Sequence, residues 1–507
     1  MTWLGWTGIF MVASGCNVFD TQLQNVAPAC TSNQECVVAS DGGAGFATAT
    51  VCVKPEGKCV ALVSEDCTLI TGDSSNDNAI LLGSLFQTSN AQGPTNLQRQ
   101  ESAAMAIDEI DDVGGVPGAG AAAPRPLVLV SCDEAADPLR AARHLVDELH
   151  VPAIIGPNVS QDVLDLTNTL TASAGTAMFT PTGVASTIAE LSDNGLTFQM
   201  VPTDAQRAGL LNGQIGMLEP QLKSARSKSI IKLGVIYRDD AFGIGTRTGL
   251  SSLVLNGKPL SDPINLGQNV RIDPYPPAEP NQADLVSAYV AFLPDIIVLA
   301  GAAEMVAALV VPIEQRWPTS APRPYYMATD AVKVPDLLAA VNGNDDFRHR
   351  IRGTGVTPDP GSAPVYQAFK VDYAGRYPSN PATISGMGSS YDAAYTIAFA
   401  LAATTDVPVS GHSIVAGLAK LSGGGTSIPV GPTTILNAFQ QLTAGNNITA
   451  IGTFAPLEWD ARGAIASGLV ELWCIGAQGS TPVFASSGLF YNIKTQSYSG
   501  TYTQCAP

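Results

Sequence analysis

The chain has 507 residues, enough for two or three domains of about 100 to 200 residues each. Hydrophobic residues make up 45% of it and charged residues 14%, a globular composition that excludes wholesale disorder. With 26 Lys and Arg against 44 Asp and Glu, the formal net charge is -18. This acidity argues against a nucleic-acid partner, because the chain would repel phosphate backbones.

The N-terminus has the pattern of an export signal. Residues 3–12 form an apolar run of signal-peptide length that is too short to span a bilayer, and the small residues 13–15 directly precede Cys16. This arrangement resembles the lipobox of bacterial lipoproteins, whose cysteine is acylated and becomes the first mature residue. The resemblance predicts a signal peptide over residues 1–15, a lipid anchor at Cys16 and, because Asn17 follows, sorting to the outer membrane. The alternative is a small buried cysteine near a frayed terminus.

The eight other cysteines form an even set, and an even set behind an export signal favours disulfides. Five of them stand close together, at Cys30, Cys36, Cys52, Cys59 and Cys67. Because the surrounding sequence has no helical or strand period long enough for a core, residues 16–77 are predicted to be a lipid-anchor linker with a small Cys-rich module, stapled by disulfides and acting as a spacer. Zinc is the alternative, although the segment has no Cys-x-x-Cys pair and no nearby His.

The remaining three cysteines suggest two pairings. Cys474 and Cys505 lie on what the pattern predicts as neighbouring strands, so we expect them to pair. Cys132 ends an apolar strand, and we expect it to reach Cys67.

From residue 78 onward, predicted strands and helices alternate. Short buried runs predict strands at 79–86, 126–130, 153–155, 230–237, 296–299 and 324–327, and helical spacing predicts helices at 97–110, 137–149 and 161–174. This alternation predicts an α/β protein with right-handed crossovers and doubly wound parallel sheets, whose ligands bind at the carboxyl ends of the strands. The apolar stretches 296–312 and 393–404 are predicted to lie inside the protein, because the first contains Glu304 and the second has the length of one buried helix.

The sequence carries none of the common motifs of enzyme chemistry. Neither Gly-Lys pair is followed by Ser or Thr, so there is no P-loop, and no Gly-x-Ser-x-Gly elbow occurs. The four histidines form no metal-ligand pair. The sequence therefore predicts a binding protein rather than an enzyme, with no cofactor and no metal.

Several short motifs follow one another in a fixed order between residues 78 and 475. They include Ile80-Leu81-Leu82-Gly83, Ala153-Ile154-Ile155-Gly156-Pro157, Phe179-Thr180-Pro181, Ser390-Tyr391-Asp392-Ala393 and Trp459-Asp460. The ordered series resembles the type I periplasmic solute-binding proteins, in particular their branched-chain amino-acid (leucine/isoleucine/valine-binding) class. The resemblance implies two doubly wound parallel-sheet lobes joined by a three-segment hinge. Lobe one would comprise 78–202 plus 331–452, and lobe two 203–330 plus 453–507.

The resemblance also implies a ligand site in lobe one. In that family a Ser after the third strand and groups of the next strand's loop hold the carboxylate of an amino acid. Ser160 matches the first, and Thr182 and Gly183 fall in the second loop, whereas Val184 stands where the family has a contacting Thr and cannot donate a hydrogen bond. The alternative reading of Ser160 is an ordinary helix cap.

Lobe two would supply the facing contacts. Phe242 stands where the family places an aromatic residue against the ligand, and Asp330 aligns with the acidic partner of the ligand ammonium, while Ala302 replaces a further aromatic residue. The alternatives are a core position for Phe242 and a helix cap for Asp330.

Together these inferences predict an extracytoplasmic solute-binding lipoprotein, lipid-anchored on the periplasmic side of the envelope. It would capture an amino acid or related small polar solute between its lobes and deliver it to the permease of an ABC importer. The alternative is an envelope-tethered sensory or regulatory interaction module that uses the same fold without transport.

Overall fold

The computed structural model describes residues 29–40, 49–54, 56–90, 93–120, 122–379, 384–405, 407–503 and 505. The predicted signal peptide and Cys16 lie outside these residues.

The first described segment contains one helix and three short strands: α1 Asn33–Ser40, β1 Thr50–Val53, β2 Lys58–Ala61 and β3 Cys67–Thr71. The chain then alternates strands and helices as β4 Ile80–Phe86, α2 Gly93–Asp112, β5 Leu127–Asp133, α3 Pro138–Arg143, β6 Ala153–Ile155, α4 Ser160–Leu166, α5 Ala172–Ala174, β7 Ala177–Thr180 and β8 Thr197–Gln199. Helices α3 and α4 each continue into a π-helical turn, at His144–Glu148 and Thr167–Thr171.

A second alternating series follows, with α6 Asp204–Ala225, β9 Leu233–Arg238, α7 Ala241–Gly249, β10 Val254–Leu255, β11 Lys258–Pro259, β12 Val270–Tyr275, α8 Ala283–Phe292, β13 Ile296–Ala300, α9 Val311–Arg316, β14 Tyr325–Ala328, α10 Pro335–Val341, α11 Asp345–Arg350 and β15 Ile351–Thr357. The chain continues through α12 Ala363–Arg376, α13 Met387–Ala403, α14 Gly411–Leu418, β16 Thr426–Pro429, α15 Ile435–Thr443 and β17 Ile448–Ile451, and then β18 Leu469–Gln478, β19 Thr481–Asn492 and β20 Ser497–Gly500.

Two large sheets organise these elements. The first has the order β3-β5-β4-β6-β7-β8 and is parallel apart from β3. The second has the order β12-β9-β13-β14-β15-β18-β19-β20, in which the first five strands are parallel and the last three antiparallel. Each sheet carries a buried apolar cluster on both faces, because its strands are apolar on both sides and its helices cover both faces. The predicted α/β fold with two doubly wound lobes is confirmed.

Three chain segments connect the lobes. They lie between β8 and α6, between β15 and α12, and between β17 and β18. The first and third are joined to each other, because the Gln199 N–H donates to the Gly463 carbonyl at 2.9 Å and the Trp459 indole N–H donates to the Gln199 carbonyl at 3.0 Å.

One predicted lobe boundary is wrong. The sequence places residues 331–357 in lobe one, but β15 pairs with β14 through Tyr326 and Ile351 in the second sheet. Helices α10 and α11 bury Leu337 and Phe347 in the same cluster as Trp473 of β18. The chain therefore returns to lobe one after residue 357, because these segments find their hydrogen bonds and apolar contacts in lobe two.

The Cys-rich module is not the separate spacer that the sequence predicts. Val51, Val53 and Leu62 belong to the apolar cluster on one face of the first sheet. The Arg140 guanidinium of α3 holds the Asp66 carboxylate at 2.6 and 2.7 Å. Strand β3, which also precedes the predicted start of lobe one at residue 78, joins the first sheet beside β5. The module is therefore part of lobe one.

The eight cysteines that the structure describes are all paired in disulfides. The bonds join Cys30 to Cys52, Cys36 to Cys59, Cys67 to Cys132 and Cys474 to Cys505. The two predicted pairings are confirmed, although Cys505 lies beyond β20 rather than on a strand. The sulfurs of Cys30, Cys36 and Cys52 lie within 4.8 Å of one another, but each already belongs to a disulfide, so none is the thiolate that zinc requires.

The apolar stretches that could suggest membrane spans lie inside the lobes. Residues of β13 are fully buried in the second sheet, and α13 is buried over nearly its whole length. Among the helices that the structure describes, none combines the length and apolar character needed to cross a bilayer.

Candidate functional site

A cleft of about 170 Å³ lies between the lobes. Its lobe-one wall is formed by residues that follow β4, β6 and β7 and by one side of α2, including Gln87, Asn96, Arg99, Asn158, Ser160 and Thr182. Its lobe-two wall is formed by residues that follow β9, β13 and β14 and by α6, including Arg207, Arg238, Phe242, Ala302, Asp330 and Lys333. The cleft thus occupies the carboxyl edge of both sheets, where parallel strands place their ligands.

Ser160 lies in this cleft but does not cap its helix. The residue before it, Val159, occupies the N-cap position, and the Ser160 hydroxyl accepts the backbone N–H groups of Val184 and Ala185 at 3.1 and 3.2 Å. The alternative reading as a helix cap is therefore wrong. A hydroxyl that accepts two N–H groups still has its own proton to donate, so Ser160 both fixes the loop after β7 and offers a donor to a ligand.

The two predicted residues of the loop after β7 differ in their positions. Thr182 lines the cleft, and its hydroxyl donates to the Asn158 carbonyl at 3.0 Å. Gly183 is buried outside the lining, since its N–H donates to the Thr180 hydroxyl at 2.9 Å and its carbonyl accepts the Gln199 amide at 2.8 Å. Contrary to the prediction, Gly183 is not among the residues that line the cleft, and both of its backbone groups have partners within the protein.

Phe242 lies in the first turn of α7, half-buried and facing the cleft. Asp240 positions this turn, because its side chain caps α7 by accepting the Gly243 N–H at 3.0 Å. Ala302 lines the same wall. Among the described residues that line the cleft, Phe242 is therefore the only one with an aromatic side chain.

Asp330 lines the cleft with its carboxylate already paired. One oxygen accepts the Arg207 guanidinium at 2.8 Å, and the other accepts the Ser385 hydroxyl at 3.3 Å. The side chains of Arg207 and Asp330 are only 9% and 13% exposed, so the pair is largely shielded from water. The predicted helix-cap alternative is wrong as well, because Val334 is the N-cap of α10. The carboxylate serves first as the counter-charge of Arg207.

Arg99 is a cleft residue that the sequence motifs do not single out. Its Nε donates to the Ser385 carbonyl at 2.8 Å and its Nη1 donates to the Asn96 side-chain oxygen at 2.6 Å. Burial lowers the pKa of Arg99 to about 10, and the negative charge of Asp330 opposes that shift. The guanidinium therefore stays protonated at neutral pH. The sequence does offer one signal for Arg99, because it is a cation on α2 among the buried positions Asn96, Gln100 and Ala103.

Polar side chains support Arg99 from behind. The Asn96 oxygen that accepts Arg99 also accepts the Asn158 amide at 2.5 Å. Nearby, Glu134 is completely buried, and burial raises its pKa well above the ordinary value.

Four of the five predicted site residues, Ser160, Thr182, Phe242 and Asp330, therefore line one cleft, and Gly183 does not. Their contact with a ligand remains a prediction.

Comparison with known proteins agrees with this two-lobed fold. A family model described as periplasmic binding protein matches residues 80–453. The branched-chain amino acid transporter substrate-binding protein LivJ from Streptococcus pneumoniae, solved with isoleucine, is 14% identical, with a TM-score of 0.56 over 80% of this chain and 99% of that one. The leucine-binding protein LivK from Thermotoga maritima is 15% identical, with a TM-score of 0.56 over 80% and 98%.

A solute-binding protein of an ABC transporter from R. palustris, solved with 4-hydroxybenzoate, is 16% identical, with a TM-score of 0.58 over 80% of this chain and 96% of that one. At these identities the structural likeness concerns the fold. No curated protein matches the chain by sequence.

Proposed function

The chain belongs to the periplasmic binding protein family, and we propose that it captures a small organic solute between its two lobes outside the cytoplasm and delivers it to an ABC importer. The observation that carries the proposal is the cleft itself. Ser160 and Arg99 face it from lobe one, and Phe242 and Arg207 face it from lobe two.

The hinge supports the mechanism. Because the lobes are linked by three short segments, they rotate as bodies while the cleft opens and closes. A ligand that touches both walls favours the closed form, since only that form makes all of the contacts. A permease that recognises the closed shape then receives loaded protein.

Thermal unfolding in the presence of a broad metabolite panel tests this proposal. A solute at about 100 times its dissociation constant adds about 2.7 kcal/mol to the unfolding free energy, which gives a clear rise in melting temperature. The panel includes isoleucine and 4-hydroxybenzoate, the ligands of two structural neighbours. For each hit, small-angle scattering should show a smaller radius of gyration with ligand than without. If no solute shifts the melting temperature, the alternative of a tethered sensory or regulatory module is favoured over transport.

We further propose that the protein works on the periplasmic side of the envelope, held by a lipid on Cys16. The lipid anchor is supported by the sequence of residues 1–17, in which an apolar run and three small residues precede Cys16.

A further inference from the structure

The charges that line the cleft oppose the charge of the whole chain. Four lining side chains are cationic, and two are carboxylates, so the lining carries two more positive than negative charges. The complete chain has a formal net charge of -18. Glu304 and Glu471, just outside the lining, pair with Arg238 and Lys333, so the attraction of the cleft for an anion depends on which of its cations has no carboxylate partner.

Three of the four cations already have carboxylate partners. The pairs are Arg207 with Asp330 at 2.8 Å, Arg238 with Asp240 at 2.5 Å and Lys333 with Glu471 at 3.5 Å. Both carboxylates of the lining are thereby used within the protein. A ligand ammonium would have to compete with a guanidinium for either of them.

Arg99 is the exception. Its partners are the Ser385 carbonyl and the Asn96 amide oxygen, which are neutral, and no carboxylate of the described residues lies within 4.0 Å of its guanidinium nitrogens. The negative charge of Asp330 acts on Arg99 without a direct ion pair and offsets only part of the cost of burying it, so an anionic ligand that pairs with the guanidinium offsets more of that cost on binding. Arginine also suits this role because its planar fork matches the geometry of a carboxylate.

We propose that Arg99 pairs with the carboxylate of the solute, and that the solute is a small organic acid without an ammonium group. This inference rests on the proposed function, since it names the substrate class of the same cleft. The Ser160 hydroxyl adds a second donor on the lobe-one wall.

The rest of the lining defines the other end of the ligand. Val184, Val201, Phe242, Val334 and Ile384 give the cleft apolar surface beside its charges. A pocket with apolar walls and a few placed polar groups takes a ligand with an apolar body and one polar head. The solute class is therefore a monocarboxylate with a short branched chain or a single ring.

Two matched sets of probes test the class on the wild-type protein. The first set shares a branched alkyl body: isocaproate, isocaproamide, isopentylamine and leucine. The second shares a phenyl ring: hydrocinnamate, hydrocinnamamide, phenethylamine and phenylalanine. By calorimetry, the carboxylate of at least one set should bind, and its amide and amine should show no measurable binding. The amino acid of that set should bind at least about tenfold more weakly, because its ammonium adds a second positive charge beside Arg99.

Variants of Arg99 test the residue. Arg99→Gln should weaken binding of the carboxylate at least about a hundredfold, because the ligand charge would lose its partner in a desolvated site. Arg99→Lys should retain part of the affinity, because it keeps the charge without the fork. Arg143→Gln is the matched control, since Arg143 is exposed on lobe one outside the cleft. Circular dichroism and melting temperature check that each variant folds.

The outcomes separate this inference from the proposed function. If leucine, phenylalanine or an amine binds as tightly as the matching carboxylate, or if Arg99→Gln keeps its affinity, the inference is overturned while solute capture stands. Binding of a neutral or cationic metabolite alone likewise overturns the inference and leaves solute capture standing. If neither the probes nor the metabolite panel binds to wild-type protein, both proposals fall.

Discussion

At the residue scale, charge pairing decides what each cleft residue can do. Asp330 has the position expected of an ammonium partner, yet its carboxylate is held by Arg207 at 2.8 Å and by the Ser385 hydroxyl at 3.3 Å. Arg207 is itself anchored, because its Nε donates to the Pro202 carbonyl in the first hinge segment at 2.8 Å. Asp330 of the cleft is thus connected to the first hinge segment through Arg207 and to lobe one through Ser385.

The first prediction concerns this pair. Asp330→Asn should lower the free energy of unfolding by about 3 to 5 kcal/mol, because it leaves the buried Arg207 charge without its partner. Urea denaturation measures the loss, and the double variant Arg207→Met with Asp330→Asn should recover part of it. Affinity for an organic acid should not fall. A hundredfold loss of affinity with little change in stability would instead support an amino-acid ligand.

The second prediction concerns Asp392 in the motif that begins at Ser390. Its carboxylate is buried and accepts both the backbone N–H and the hydroxyl of Thr453, which fixes the third hinge segment to α13. Burial raises the pKa of Asp392 from 3.8 to about 7, against the opposing effect of the Thr453 hydrogen bonds. The folded state therefore holds the proton more tightly than the unfolded chain does.

Stability from the protonated Asp392 is fully present below about pH 4 and is lost as the pH rises through 7. Between pH 4 and pH 8, the unfolding free energy of wild type should fall by roughly 3 to 4 kcal/mol more than that of Asp392→Asn. Subtracting the variant isolates this residue, since burial also raises the pKa values of Asp111 and Asp162 to about 6. Parallel pH profiles for the two proteins would contradict the assignment.

At the element scale, the Cys-rich module shows how a segment without a core of its own gains one. Strands β1 and β2 form a two-stranded sheet of their own, but Val51, Val53 and Leu62 pack against Leu85 and other residues of lobe one. His144 of the π-helical turn after α3 hydrogen-bonds the Leu62 carbonyl at 3.0 Å. The disulfide from Cys67 to Cys132 ties β3 to the strand beside it.

The third prediction tests this packing. Leu62→Ala should lower the unfolding free energy of the whole lobe by about 2 to 5 kcal/mol, the usual range for a leucine truncated inside a core. Leu69→Ala is the matched control, because Leu69 is 52% exposed on β3, and it should change stability by less than about 0.5 kcal/mol. If the module were an independent spacer, Leu62→Ala would leave the main transition unchanged.

At the scale of the whole molecule, the proposed lipid anchor would determine where the cleft works. We expect Cys16 to carry the lipid that holds the protein at the envelope, although this residue lies outside the part of the chain that the structure describes. An acylated terminus followed by a linker would leave both lobes free to open, close and meet a permease.

The fourth prediction follows from this attachment. Cys16→Ser should move the protein from the membrane fraction to the soluble envelope fraction, because acylation would be its stable anchor. Immunoblots of fractionated cells measure the change, with an Asn17→Ala variant as the control that keeps the cysteine. Unchanged membrane fractionation of Cys16→Ser would show that the lipobox interpretation is wrong.

Residue patterns alone determined the alternating architecture. The strand predicted at 153–155 is β6 to the residue, and the strands predicted at 79–86 and 296–299 match β4 and β13 within one residue. Such strands can be recognised from the sequence because a strand buried on both faces is apolar throughout, and this pattern lies within a few consecutive residues. The disulfide from Cys474 to Cys505 was also predicted, although the expected strand at Cys505 is absent from the described residues.

Only the tertiary structure decided the chemistry of the cleft. Asp330 meets Arg207 across 123 positions, and Arg99 meets Ser385 across 286, so no local pattern reports either contact. The return to lobe one after residue 357 was likewise decided by the pairing of β15 with β14. The physical reason is the same in each case: local patterns record whether a side chain is buried, whereas the partner of a charge or a strand depends on which distant segment the fold brings beside it.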